Sequence, residues 1–361
     1  MNRDDTPEAV RARLLRLFET AVAVAHPRSC LPPHLPAPPA RGRLVILAAG
    51  KAAGAMTETA EHHYLDQLGW PADRLTGIAV TRHGYARPTR VVPVIEAGHP
   101  MPDAAGLAAT ERTLALADAA VADDLVLVLM SGGASANWIA PAHGLSLAEK
   151  QAVTRALLAC GAAIGEINTV RKHLSRIKGG RLARHIHPAR FVTLAISDVP
   201  GDDPATIGSG PTAPDPSTLD DARAVIARYR LDLPAAVERI LRDPANETPK
   251  PGDPLFADAE FRIVARPREA FQSVEAAVAA GGEACMFLGD SIEGEAREVA
   301  ALHAALAAAV RREGRSAVIL SGGELTVTVR GAGRGGPNQE YALALAVALA
   351  DHTSDFVGVV D

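Results

Sequence analysis

The sequence predicts a two-domain α/β protein, with a large N-terminal domain on a parallel sheet and a smaller C-terminal α/β domain with a mixed sheet. Three observations carry this. Solidly apolar runs such as LVILAAG (44–50), LVLVLM (125–130) and FVTLAIS (191–197) alternate with helical periodicities. Strands buried on both faces under helices read this way. Residues 243–254, DPANETPKPGDP, are polar and proline-rich, and the strand–helix alternation restarts after them. A chain of 361 residues suits two domains of ordinary size.

The elements follow in order. Pro7 to Ala25 places Val10, Leu14, Leu17, Phe18 and Val22 at helical spacing. Residues 27–39, PRSCLPPHLPAPP, hold too much proline for a helix or sheet interior. Strands are expected at 44–50, 77–84, 90–100, 125–130 and 191–197, with helices near 52–67, 104–118, 146–163 and 178–186. Ser146-Leu-Ala-Glu149 is a capping box that marks one helix start. The expected large domain, Rossmann-like in its alternation, is 1–245. A linker occupies 246–256 and the second domain 257–361. There, strands are expected at 261–265, 284–289, 316–320, 325–331 and 356–361, with helices near 267–280, 294–313 and 338–350. LTVTV (325–329) alternates with threonine, which suits a half-exposed antiparallel strand. Ser321-Gly322-Gly323 before it reads as a turn between two strands.

Composition excludes several classes. The net charge of −5 gives no basic signature for nucleic acid. The longest apolar run, YALALAVALA (341–350), falls short of the roughly 20 residues that span a bilayer. Cys30, Cys160 and Cys285 are scattered, which argues against a zinc cage or disulfide framework and for a reducing, cytoplasmic setting. No signal-peptide core precedes the first helix.

Four stretches carry candidate chemistry. LVLVLM ends at Ser131-Gly132-Gly133, with Ser135 close behind. Glycines at a strand end let backbone N–H groups approach a phosphate, and the serines add hydroxyls. AAGKAAGAM (48–56) is not a P-loop, but it puts Lys51 at the start of a helix, where a cation is disfavoured unless an anion joins it. NTVRKHLSRIKGGRLARHI (168–186) gathers Arg171, Lys172 and Lys178 with further basic residues around Gly179-Gly180. Some of these are expected to face an anion, while Arg176 and Arg184 read as solvated. ISDVPGDDPATIGSGPTAPDP (196–216) starts at a strand end with Asp198 and continues through Gly208-Ser209-Gly210 without periodicity. Long loops at strand C-termini are typical site material, and Asp198 there suits a proton acceptor or a Mg²⁺ ligand. A competing signal lies at Gly331, Gly333 and Gly336, a literal G-x-G-x-x-G with Asp361 25 residues on, which points to a dinucleotide. Against it stand the threonine-rich strand before the match and Arg334 and Pro337 around it.

In this order, LAAGKAAGAM, AGHPMPDAAG, LMSGGASA, INTVRKHLSRIKGGRLA, ISDVPGDDPATIGSGPT, GDSIEGEARE, SGGELTVTV and GRGGPNQE resemble the class II glycerate 2-kinases, the MOFRL family. Some members are named hydroxypyruvate reductase. The resemblance spans roughly residues 5–361. It implies transfer of the ATP γ-phosphate to the 2-hydroxyl of D-glycerate with Mg²⁺, in a cleft between the two domains. It carries the family's catalytic lysine onto Lys51 and its arginine onto Arg334. Asp198 stays a reading of the loop alone. Arg171, Lys172, Lys178, Glu324 and Asn338 are the substrate-binding candidates, and a homodimer is a candidate assembly. Two departures stand out. The family's SGGGSA is here SGGASA, so Ala134 is strained if that position needs a positive φ. The family also continues for several dozen residues past the match to FVGVVD, so the second domain is expected to be incomplete. The alternatives are an NAD(P)H-dependent hydroxypyruvate reductase and an inactive truncated relative.

Overall fold

The computed structural model describes residues 6–199, 201–331, 333, 335–350 and 356–360. Two compact units divide the chain: residues 27–265 form one, and residues 1–26 with 266–361 form the other.

The unit of residues 27–265 is built on six parallel strands: β1 (Leu44–Ala49), β2 (Leu75–Arg82), β3 (Val94–Ala97), β4 (Leu125–Met130), β5 (Arg190–Ile196) and β6 (Glu260–Ala265). Their order is β3-β2-β1-β4-β5-β6. Every residue of β1 and β4 is buried, as their unbroken apolar sequences require of central strands covered on both faces. The core joins Val45, Leu47, Val126 and Val128 to Trp138, Leu182 and Ile186. The strand order reverses between β1 and β4, and ligands bind at such a switch point, outside the strands' carboxyl ends. Ala49 of β1 lies level with Met130 of β4, and Met130 with Ala195 of β5, so these three strands end on one rim.

The helix Ala104–Asp118 falls where the periodicity puts it. The helix Leu147–Ala159 opens on the expected capping box, with the Glu149 amide donating to Ser146 Oγ at 3.2 Å. The third strand is shorter than expected: only Val94–Ala97 pairs. The proline-rich segment 243–254 does not divide the units. The chain passes through it and adds β6 to the same sheet, beside β5.

In the other unit, the helix Pro7–Ala25 packs on Pro267–Ala280, with Leu14, Leu17 and Ala21 against Val274, Val278 and Val318. Two strands, β7 (Cys285–Glu295) and β8 (Val318–Thr326), pair in parallel. This corrects two expectations. No antiparallel strand occurs among the described residues of this sheet, and Ser321-Gly322-Gly323 is not a turn. It lies inside β8. A Cβ at Gly322 would meet Phe271 Cζ at 2.1 Å, and one at Gly323 (φ +143°) would meet the Ile292 carbonyl oxygen at 2.1 Å. These glycines serve close packing. Residues 356–360 form no strand, and Asp361 lies outside the described residues.

Candidate active site

Three loops meet on the rim formed by β1, β4 and β5. The turn after β1 holds Gly50 and Lys51, with φ +119° at Gly50. The Lys51 amide donates to the Gly132 carbonyl at 2.7 Å, and the Ala52 amide to Ser131 Oγ at 2.9 Å. These bonds clamp the β1 turn to the loop after β4. A Cβ at Gly50 would lie 2.4 Å from Ser131 Oγ, so only glycine lets the loops approach this closely.

The first Ser-Gly-Gly ends β4 as the sequence suggests. Gly133 takes a left-handed conformation (φ +86°) and leads into the short helix Ala134–Asn137. The positive φ therefore falls on Gly133, and Ala134 is helical and unstrained, contrary to the concern raised by SGGASA. The missing side chains of the glycine pair are where the site's polar groups gather. A Cβ on Gly132 would lie 2.0 Å from Asp198 Oδ2. One on Gly133 would lie 2.9 Å from His99 Cδ2 and 3.4 Å from Lys51 Cγ. Lys51, His99 and Asp198 thus surround two residues that expose bare backbone. Lys51 and Asp198 are both exposed, and among the described residues neither has an ion-pair partner. His99 was not singled out from the sequence, although AGHPMPD ends a strand on this rim.

Behind the glycine pair sits a buried cationic scaffold. Arg171 Nη2 donates to Ser135 Oγ at 2.7 Å. Lys178 is fully buried, and its Nζ donates to the Ser135 carbonyl at 2.7 Å, the Trp138 carbonyl at 3.1 Å and Ser135 Oγ at 3.1 Å. Burial, then the charges of Arg171 and Lys150, push the Lys178 amine well below its ordinary pKa. Lys172 is buried against Asp215 at 3.2 Å. Burial raises the Asp215 carboxyl, but Lys172 and the hydroxyl and amide of Ser217 outweigh it and hold the group below its ordinary value. Lys172 and Lys178 are therefore both buried, with their ammonium groups held by partners within the fold. Arg176 pairs with Glu111.

Gly208, Ser209 and Gly210 all take positive φ. The Ser209 amide donates to Thr206 and the Gly210 amide to Ile207. Their carbonyls accept from Gly179 and Gly180 at 3.0 and 2.6 Å. Those two amides are committed to the fold, and the segment clasps the turn that carries Lys178. Ser209 Oγ meets Ser135 Oγ at 2.8 Å. Glu324, in β8, and Asn338, at the start of the helix Pro337–Ala348, are both exposed in the other unit. Arg334 lies outside the described residues. Among the described residues no group of three or more His, Cys, Asp or Glu could cage a metal. No described helix is long and apolar enough to cross a membrane.

The chain matches a domain of unknown function, DUF4147, over residues 13–242 and the MOFRL family over 317–360. It is 35% identical over 348 residues to the D-glycerate 2-kinase of Thermotoga maritima, covering 95% of this chain and 80% of that protein. It is 47% identical to a putative hydroxypyruvate reductase of Agrobacterium vitis (94% and 77% covered) and 33% identical to the glycerate kinase of Homo sapiens (94% and 77%). The crystal structure of the Thermotoga maritima glycerate kinase superposes with a TM-score of 0.78 at 34% identity, covering 95% of this chain and 81% of that one. The chain belongs to the MOFRL-type family of glycerate 2-kinases.

Proposed function

We propose that this protein is an ATP-dependent kinase that phosphorylates D-glycerate on its 2-hydroxyl, giving 2-phosphoglycerate and ADP. The observation that carries this is the meeting of Lys51, bare Gly132-Gly133 backbone and Asp198 at the sheet's switch point. Phosphoryl transfer asks chiefly for positioning and neutralised charge. The glycine pair presents bare backbone beside Lys51, which has no ion-pair partner among the described residues and so supplies a cation for phosphate. The family resemblance assigns a second cationic role to Arg334, which lies outside the described residues. The 2-hydroxyl oxygen attacks the γ-phosphorus, the bond to the ADP oxygen breaks, and the hydroxyl proton leaves to a nearby acceptor. Asp198 is suited to take that proton. A lone exposed carboxylate also suits a Mg²⁺ shared with nucleotide phosphates, which needs no protein cage. When bound, Mg²⁺ would neutralise charge on those phosphates. Ser135, fixed by Arg171 and Lys178, aligns the helix behind the glycines.

The reductase reading finds less support. The order β3-β2-β1-β4-β5-β6 is that of dinucleotide folds, which carry G-x-G-x-x-G in the first strand–helix turn. Here that turn reads Gly50-Lys51-Ala52-Ala53-Gly54, and the literal match at 331–336 follows β8, in the other unit. Purified protein incubated with D-glycerate and Mg-ATP, and separately with hydroxypyruvate and NADH or NADPH, decides between them. Glycerate-dependent ADP release is expected. Nicotinamide oxidation without ADP release would replace the kinase with the reductase.

A further inference from the structure

A concavity in the unit of residues 27–265 holds about 390 Å³. It opens between Ser175-Arg176, the helix Arg181–Ile186, and the helix Ala235–Arg242 with the turn after it. That is large enough for a small organic ligand. None of the residues gathered around Gly132 and Gly133 lines it.

Its walls are cationic. Arg176, Arg181, Arg184 and Arg239 line it, with His143 and His185. Arg176 pairs with Glu111, and His185 meets Asp118 at 2.7 Å. Arg181, Arg184 and Arg239 have no carboxylate within 4.0 Å among the described residues. Arg181 is 8% exposed, donates to the Asn246 carbonyl, and keeps its Nε buried without an acceptor. Burial, then the like charge of Arg184, lower its pKa to about 10. The acids acting the other way, Glu247 and Asp215, are engaged by Lys250 and Lys172. Such crowding of guanidinium groups is unfavourable until an anion joins them. Their planar forks match phosphate oxygens bidentately. Among the described residues Asp243 is the only acid lining the pocket, and its Oδ1 accepts from the Ala245 amide at 2.9 Å. Its second oxygen suits a hydroxyl donor on the ligand.

We propose that this pocket binds a small phosphorylated hydroxy compound, a sugar-acid or polyol phosphate, at a site separate from the one around Lys51. Arg181 forms its floor, and Arg184 and Arg239 close on the phosphate. Binding of inorganic phosphate, followed by calorimetry on the full chain, tests this in the wild type, Lys51→Ala and the double variant Arg184→Gln/Arg239→Gln. Both arginines are exposed, so the double variant is expected to fold, and thermal unfolding checks it. The expected result is saturable phosphate binding that survives Lys51→Ala and weakens at least about tenfold in the double variant. Glycerol phosphate should displace the phosphate from Lys51→Ala. Three results would each overturn the proposal: no saturable binding at millimolar phosphate, binding abolished by Lys51→Ala alone, or binding untouched by the double arginine change.

Discussion

Replacing Gly132 by alanine probes the geometry of the site without removing any functional group. A Cβ there would lie 2.0 Å from Asp198 Oδ2 and 2.8 Å from its Cγ, against an ordinary contact of 3.4 Å or more, so the carboxylate must retreat by about 1.4 Å. Gly132 does not have a positive φ, so the alanine adds no backbone strain. Asp198 is exposed and free to turn away. The unfolding midpoint should therefore move by no more than about 2 °C. Catalysis has no such tolerance. A misplacement of about 1 Å costs on the order of 100-fold, or roughly 2.7 kcal/mol in the barrier. Steady-state ADP release with D-glycerate and Mg-ATP should show kcat reduced by about that factor. In an Asp198→Ala background the same change should add little, because nothing remains to be displaced. A Gly132→Ala enzyme within a few-fold of wild type would refute the reasoning, as would losses that simply multiply in the double variant.

Lys51→Ala should lower kcat by about 100-fold or more with an unchanged unfolding midpoint, since the side chain is exposed and removes only phosphate-facing charge; normal turnover would take Lys51 out of the mechanism. Lys178→Met should cost roughly 2–4 kcal/mol in urea unfolding, because the buried carbonyls of Ser135 and Trp138 lose their donor. An unchanged midpoint would show that these bonds contribute nothing net. Glu247 titrates at about 2: burial raises it, but donors including Lys250, the Leu219 amide and His173 hold it down. A depressed carboxyl contributes stability above its unfolded value, near 4.5, that is lost as pH falls towards 2. Wild type and Glu247→Gln should thus differ in stability above pH 4.5 and converge below it. A constant gap across that range would contradict the assignment.

The rim was legible because its signals are local. An apolar run closing on Ser-Gly-Gly marks the end of a buried strand, and Gly50-Lys51 marks the turn of the next strand over. Their adjacency follows from the strand order, which single strands do not encode. The two Ser-Gly-Gly endings look alike in sequence and differ in space. The first is a turn with a left-handed glycine beside Lys51 and Asp198. The second is strand interior, its glycines selected by the Phe271 ring and the Ile292 backbone, both distant in sequence. The basic stretch 168–186 is ambiguous for a similar reason. Charge density alone does not tell a buried lysine donating to carbonyls from one facing a ligand, and Lys172 and Lys178 proved buried. His99 went unmarked because its place against Gly133 depends on where the β3 loop returns to the rim.

The central claim is the chemistry itself, and the product tests it most directly. Phosphorus NMR of a reaction containing D-glycerate and Mg-ATP should show a phosphate monoester coupled to the single hydrogen on carbon 2, with stoichiometric ADP. A phosphate coupled to the two hydrogens on carbon 3, or no glycerate-dependent ester at all, would contradict the account.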